Sequence, residues 1–86
     1  MYFVYVLRSL KTGALYKGQT KDLEQRFQEH NRGKTKSSKP GIPWKIIYVE
    51  EFTTRGEALA REKYFKTAAG RRFLEKKIDC VGSPPD

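Results

Sequence analysis

Tyr2-Phe3-Val4-Tyr5-Val6-Leu7-Arg8 and, six residues later, Ala14-Leu15-Tyr16-Lys17-Gly18-Gln19-Thr20 decide how this chain folds. The first stretch is aromatic and β-branched throughout, which suits a largely buried strand. The second alternates well enough to be its returning partner. Ser9-Leu10-Lys11-Thr12-Gly13 joins them as a turn, so the two form a hairpin. Gly18 interrupts the second strand, a sign of a bulge or of a close backbone approach.

Outward from the hairpin the period changes. Asp22 is an N-cap residue with Gln25 three positions on, in capping-box spacing. Leu23 and Phe27 share one face of the helix that follows, and Gly33 stops it. Residues 32 to 41 carry Arg32, Lys34, Lys36 and Lys39 with no acid, and are expected to be a solvated loop. Trp44 to Phe52 reads as a third strand. Thr54 and Glu57 make a second capping box ahead of a helix running to about Lys66, with Ala58, Leu59 and Phe65 on its apolar face. Thr67 caps a last, short helix carrying Phe73, Leu74 and Ile78, and residues 80–86 read as a loose tail. The expected architecture is α/β (α+β): a small antiparallel three-stranded sheet with helices packed around it, in the order β-β-α-β-α-α, over residues 1–79.

The chain has 86 residues, so it can hold one modest core and no separate substrate domain. Its 18 Lys and Arg against 10 Asp and Glu leave a net charge of +8. That surplus favours a polyanionic partner, either nucleic acid or an anionic membrane surface, over an inert basic surface. No segment has the strongly basic amphipathic pattern of a membrane-surface helix. No apolar run approaches the ~20 residues of a membrane span, and no signal peptide is apparent. Cys80 is the one cysteine, so neither an internal disulfide nor a multi-cysteine zinc site can form. A chain without disulfides is expected in the cytoplasm.

Several polar residues fall where chemistry could use them. Glu62 follows Ala58 by four residues and precedes Phe65 by three, so its carboxylate lies on or beside the apolar face. It reads either as an edge residue paired with a nearby Lys or Arg, or as a ligand for a divalent cation. Arg26 and His30 are four apart and share a helix face. They read as an ordinary polar face, or as a fork and a proton acceptor for a phosphate. Tyr5 and Tyr16 lie in mid-strand, where most tyrosines are core. A reactive tyrosine needs activation, since a free phenol is neutral at pH 7.

Taken together these residues resemble the GIY-YIG family of nucleases. That family is named for two motifs on its first two strands, matched here by Phe3-Val4-Tyr5 and Tyr16-Lys17-Gly18, with the tyrosines 11 positions apart. Its Arg and His on the first helix correspond to Arg26 and His30, and its Glu on the next long helix to Glu62. The likeness spans residues 2 to 77 and is greatest to short stand-alone proteins related to the nuclease domain of the bacterial excinuclease incision subunit. Lys17 stands where the family name has Ile, and the late Asn of some members has no equivalent.

The resemblance implies a metal-dependent endonuclease that hydrolyses DNA phosphodiester bonds, in DNA repair or recombination, with RNA also open as a substrate. It implies that Glu62 holds one Mg²⁺ or Mn²⁺, which stabilises the leaving oxygen. Arg26 neutralises charge on the phosphoryl group, and Tyr16 is the general base. His30 relays or accepts the proton, and Tyr5 orients a phosphate oxygen or Tyr16 itself. Gly18 permits close backbone approach. Lys17, Lys34, Lys36, Lys39, Arg71 and Arg72, with Lys76 and Lys77, grip the phosphates. A non-catalytic nucleic-acid-binding module on the same fold is the alternative. A structural domain with Arg26, His30 and Glu62 as a buried polar network is the third reading.

Overall fold

The structure, a computed structural model, describes residues 1–82. Strands β1 (Tyr2–Ser9) and β2 (Leu15–Thr20) form the hairpin, followed by α1 (Leu23–Asn31), a 3-10 turn (Lys39–Gly41), β3 (Trp44–Phe52), α2 (Arg55–Phe65) and α3 (Ala68–Gly82). The expected order β-β-α-β-α-α is the observed one. The sheet is antiparallel in the order β2-β1-β3, so the first strand is central.

A central strand is covered on both faces, and β1 shows why its sequence is apolar without interruption. Val4 and Val6 point to one side, into a core with Ala58, Phe65 and Leu74 from α2 and α3. Tyr5 and Leu7 point to the other, where Trp44, Leu23 and Phe27 close the layer beneath α1. Each large apolar side chain so buried contributes roughly 1.5–3 kcal/mol. The register shift lies in β3, between the partners of Val6 and Leu7, and not at Gly18. One extra residue there turns both Ile47 and Tyr48 toward α2 and α3.

The caps formed largely as the sequence dictates. Thr54 and Glu57 make the full reciprocal box. Asp22 Oδ1 accepts from the Gln25 N–H at 3.1 Å, but the Gln25 side chain donates to Glu29 instead of back to Asp22. Thr67 Oγ1 accepts from the Gly70 N–H at 3.1 Å. The helix it starts is long, 15 residues, because α3 continues past Ile78. The expected loose tail, residues 80–86, lies largely outside what the structure describes, with α3 traced to Gly82.

The segment expected to be a solvated loop differs most. Lys34, Lys36 and Lys39 are exposed, but Ser38 and Gly41 are buried. The Trp44 indole N–H donates to the Ser38 carbonyl at 2.7 Å, and the Ser9 hydroxyl donates to the Gly41 carbonyl at 2.6 Å. Asn31 brackets the Trp44 backbone, accepting its N–H at 2.6 Å and donating to its carbonyl at 3.1 Å. A Cβ on Gly41 would come within 2.3 Å of Trp44 Cζ2, so glycine is what lets the segment pack this closely on the indole. The lysines are therefore displayed from an anchored platform.

Candidate active site

The site is assembled where α1 covers the β1–β2 hairpin. Tyr5 is paired with Gly18 in the β1–β2 register, and its ring lies across that glycine. A Cβ at residue 18 would come within 2.5 Å of the Tyr5 hydroxyl oxygen. Gly18 is itself buried, so it makes room for Tyr5. Tyr16, two residues earlier on the same face, stacks on Tyr5 with ring centroids 6.5 Å apart and meets the edge of Trp44 at 6.1 Å.

His30 comes down from α1 between these rings. Its centroid lies 4.7 Å from Tyr16 and 5.7 Å from Tyr5. Nε2 is 2.9 Å from the Tyr5 hydroxyl, and Nδ1 is 2.7 Å from Ser38 Oγ. The ring is fully buried, and that burial lowers its pKa, with the Arg26 charge acting in the same direction. His30 is therefore neutral and has both nitrogens engaged.

Arg26 stands one turn before His30, with its side chain 35% exposed and one contact to Glu29 at 3.1 Å. Burial works against its charge, but hydrogen bonding to Tyr5 and Glu29 more than offsets that, and its pKa is raised. Burial pushes the Tyr5 phenol up to about 12, Arg26 opposing and the charges of Tyr16 and Glu62 adding to the rise. Tyr5 keeps its proton at any ordinary pH. Tyr16 differs from it in being only half-buried.

Glu62 lies on α2, whose Ala58 and Phe65 pack on the Val4 and Val6 side of the sheet. It makes no hydrogen bond to the tyrosines, although its charge is felt at Tyr5. Its side chain is 19% exposed, and Oε2 accepts from Lys66 Nζ at 3.0 Å. Among the described residues no three His, Cys, Asp or Glu side chains cluster as a metal centre. A lone, largely covered carboxylate still suits Mg²⁺, which retains several waters and takes its other ligands from substrate phosphate. Lys66 already neutralises this one.

Lys17 is half-buried and pairs with Val6, so it faces α2 and α3. Burial lowers its pKa, and the positive charges of Arg71 and Lys66 lower it further. Arg71, Arg72, Lys76 and Lys77 are exposed on α3. The basic residues thus divide between the loop after α1 on one face and α3 on the other. Sequence reading singled out Tyr5, Tyr16, Gly18, Arg26, His30 and Glu62, and the fold brings all but Glu62 into direct contact around Tyr5. It missed Ser38 and Lys66. Only the second had a local signal, its i, i+4 spacing from Glu62.

The second Arg–Glu cluster, on the α2 and α3 face, also went unread. Arg61 Nε and a terminal N–H donate to the two oxygens of Glu50 at 2.8 and 3.2 Å, and the Tyr48 hydroxyl donates to the same carboxylate. Burial raises the pKa of Glu50, but these hydrogen bonds win and hold it below the usual carboxylate range.

Comparison with known proteins identifies the family. The model of the GIY-YIG catalytic domain matches residues 1–77. The chain is 39% identical to a UPF0213 protein of Bacillus licheniformis, over 88% of this chain and 81% of that one. It is 42% identical to a UPF0213 protein of Staphylococcus epidermidis, over 86% of this chain and 90% of the relative. The solution NMR structure of a UPF0213 protein from Bacillus halodurans superposes with a TM-score of 0.57 at 29% identity, covering 98% of this chain and 89% of that one. The chain therefore belongs to the GIY-YIG catalytic domain family, within the nuclease superfamily.

Proposed function

We propose that the protein is a metal-dependent endonuclease that hydrolyses DNA phosphodiester bonds. The observation that carries the reading is the meeting of Tyr5, Tyr16, Arg26 and His30 in one cluster within electrostatic reach of Glu62. Arg26 has guanidinium N–H groups to spare beyond its contacts with Glu29 and Tyr5, and these bind and neutralise the phosphoryl oxygens. Tyr5, protonated and held by His30, orients the same group. Tyr16, half-buried, is the tyrosine placed to take the proton of the attacking water. His30 acts through Tyr5, because its buried ring has both nitrogens occupied.

Glu62 would hold Mg²⁺ or Mn²⁺, whose charge when bound stabilises the leaving oxygen. The exposed Lys34, Lys36 and Lys39 on one face and Arg71 and Arg72 on the other, with Lys17 between β2 and α3, hold the backbone on both sides of the site. Phosphate contacts of this kind give steep salt dependence and little sequence preference. The proposed place of work is the cytoplasm, in DNA repair or recombination. Among the described residues no helix is long and apolar enough to cross a membrane.

A binding module without catalysis is favoured by one observation, the ammonium of Lys66 already seated on Glu62. Cleavage of supercoiled plasmid and of a branched duplex with Mg²⁺ or Mn²⁺, beside Glu62→Ala, separates the two. The nuclease reading expects the parent to cut and the variant to bind without cutting. Binding by both, with neither cutting and no effect of EDTA, supports the module.

A further inference from the structure

Ser38 belongs to the basic loop in sequence and to the active site in space. It is completely buried. Its Oγ, the His30 ring and the Tyr5 hydroxyl form one line across three parts of the fold, with separations of 2.7 and 2.9 Å. The direction of the protons along this line follows from which acceptors are already taken.

Apart from His30, Ser38 Oγ has the Thr35 carbonyl as an acceptor, at 3.3 Å. That oxygen already accepts from the backbone N–H groups of Ser38 and Lys39 at 3.2 and 3.1 Å, which uses both of its lone pairs. The Ser38 proton therefore goes to His30 Nδ1, at a distance typical of a hydroxyl donor. A neutral imidazole that accepts at Nδ1 carries its proton on Nε2. Nε2–H then donates to the Tyr5 oxygen at 2.9 Å, the ordinary N–H···O length. Arg26, the other group that bonds to the Tyr5 hydroxyl, carries only N–H donors, so among the described residues the Tyr5 proton is left without a protein acceptor.

We propose that Ser38 is a positioning residue: by donating to His30 it directs Nε2–H onto the Tyr5 oxygen and leaves the Tyr5 O–H to donate to a non-bridging oxygen of the bound phosphodiester. The phosphate contact rests on the nuclease reading; the proton order does not. The raised pKa of Tyr5 is consistent with a donor and not a base. The loop that displays Lys34, Lys36 and Lys39 is also the one that carries Ser38. Seating that loop and orienting the Tyr5 proton are then a single event.

His30 is the chain's one histidine, so ¹⁵N NMR of the imidazole reads the proton order directly on the full chain without DNA. The expected result is an Nε2–H tautomer with a hydrogen-bonded Nδ1. Ser38→Ala should move the Nδ1 resonance with the amide spectrum otherwise retained, and Lys36→Ala should leave it in place. Tyr5→Phe should move Nε2 instead, which keeps the test alive if Ser38→Ala folds poorly. An Nδ1–H imidazole in the parent overturns the proposal.

Plasmid cleavage supplies the second arm. Ser38→Ala and Tyr5→Phe should each lower kcat by about 10- to 100-fold with KM little changed. The double variant should be no slower than Tyr5→Phe alone, because Ser38 acts through that hydroxyl. Multiplying losses would mean that Ser38 only holds the loop, and would sink the proposed coupling. A parent that fails to cut defeats the nuclease reading and with it the phosphate contact, while the imidazole alone still judges the proton order.

Discussion

Arg61 and Arg26 lie on opposite faces of the same sheet, each beside a glutamate and a tyrosine, and the fold uses them differently. Arg61 meets both oxygens of Glu50, and its guanidinium lies 4.8 to 4.9 Å from the ring centroids of Tyr64, Phe65 and Phe73. Its hydrogen bonds and its flat face are spent on joining α2, α3 and β3. Arg26 makes one ion-pair contact and remains open to solvent on its other side. A guanidinium that meets both oxygens of one carboxylate and lies against three rings of its own protein is structural. One left with free donors beside a protonated tyrosine is free to take a phosphate.

The largest test of this contrast exchanges the two losses. Arg26→Ala should slow cleavage by about 10²–10³-fold, as removal of a charge-stabilising donor does elsewhere, with little change in melting temperature. Arg61→Ala should do the reverse. It should cost about 1–2 kcal/mol, discounted for a pair that is partly solvated, and lower Tm by roughly 4–8 °C per kcal/mol. Cleavage per folded molecule should stay within a few-fold. Rate assays beside thermal melts decide it, and an Arg61→Ala protein of normal stability that cannot cut would break the comparison.

Next in size are the glycines that each face relies on. Gly70→Ala places a Cβ 1.9 Å from the Tyr64 carbonyl oxygen, a backbone atom that cannot swing away, and should destabilise by ~1–3 kcal/mol in a urea titration. Gly18→Ala places its Cβ 2.7 Å from Tyr5 Cζ, where a side chain can move. Stability should suffer less there, and cleavage should fall by ~10-fold or more as Tyr5 leaves His30. Equal effects of the two changes on folding and on cleavage would erase the distinction between a packed face and a working one.

The smallest effect is a pH dependence belonging to the site face alone. His30 has a lowered pKa in the folded state, so below about 6.5 the unfolded chain binds more protons than the folded one. Its contribution to stability is therefore fully present above that pH and is lost as pH falls through the lower, folded value. Glu50, held below the ordinary carboxylate range, loses its contribution only in a more acidic window. Urea unfolding at pH 7 and pH 5.5 should show the parent weakening and His30→Gln, whatever its absolute stability, weakening less. Identical slopes would mean that His30 is not sheltered.

Much of this was readable in the chain. The two hairpin strands and β3 announced themselves by composition, and Thr54 with Glu57 marked the start of α2, because a cap is a contact across three residues. Arg61, which precedes Tyr64 and Phe65 by three and four positions, carried a usable signal of stacking. The 32–41 segment did not read correctly. Its lysines, serines and glycines have the composition of any solvated loop, and its burial depends on Ser9, His30 and Trp44.

The sequence by itself determined which segments become strands and helices, their order, the basic surplus and the family motif, since each is written in propensities and spacings of a few residues. Only the tertiary structure decided that β1 is the central strand, that Tyr5 fills the space above Gly18, that Ser38 reaches His30 and that Arg61 meets Glu50. Those facts join residues from separate elements, and a chain specifies such contacts only through the packing of the whole core.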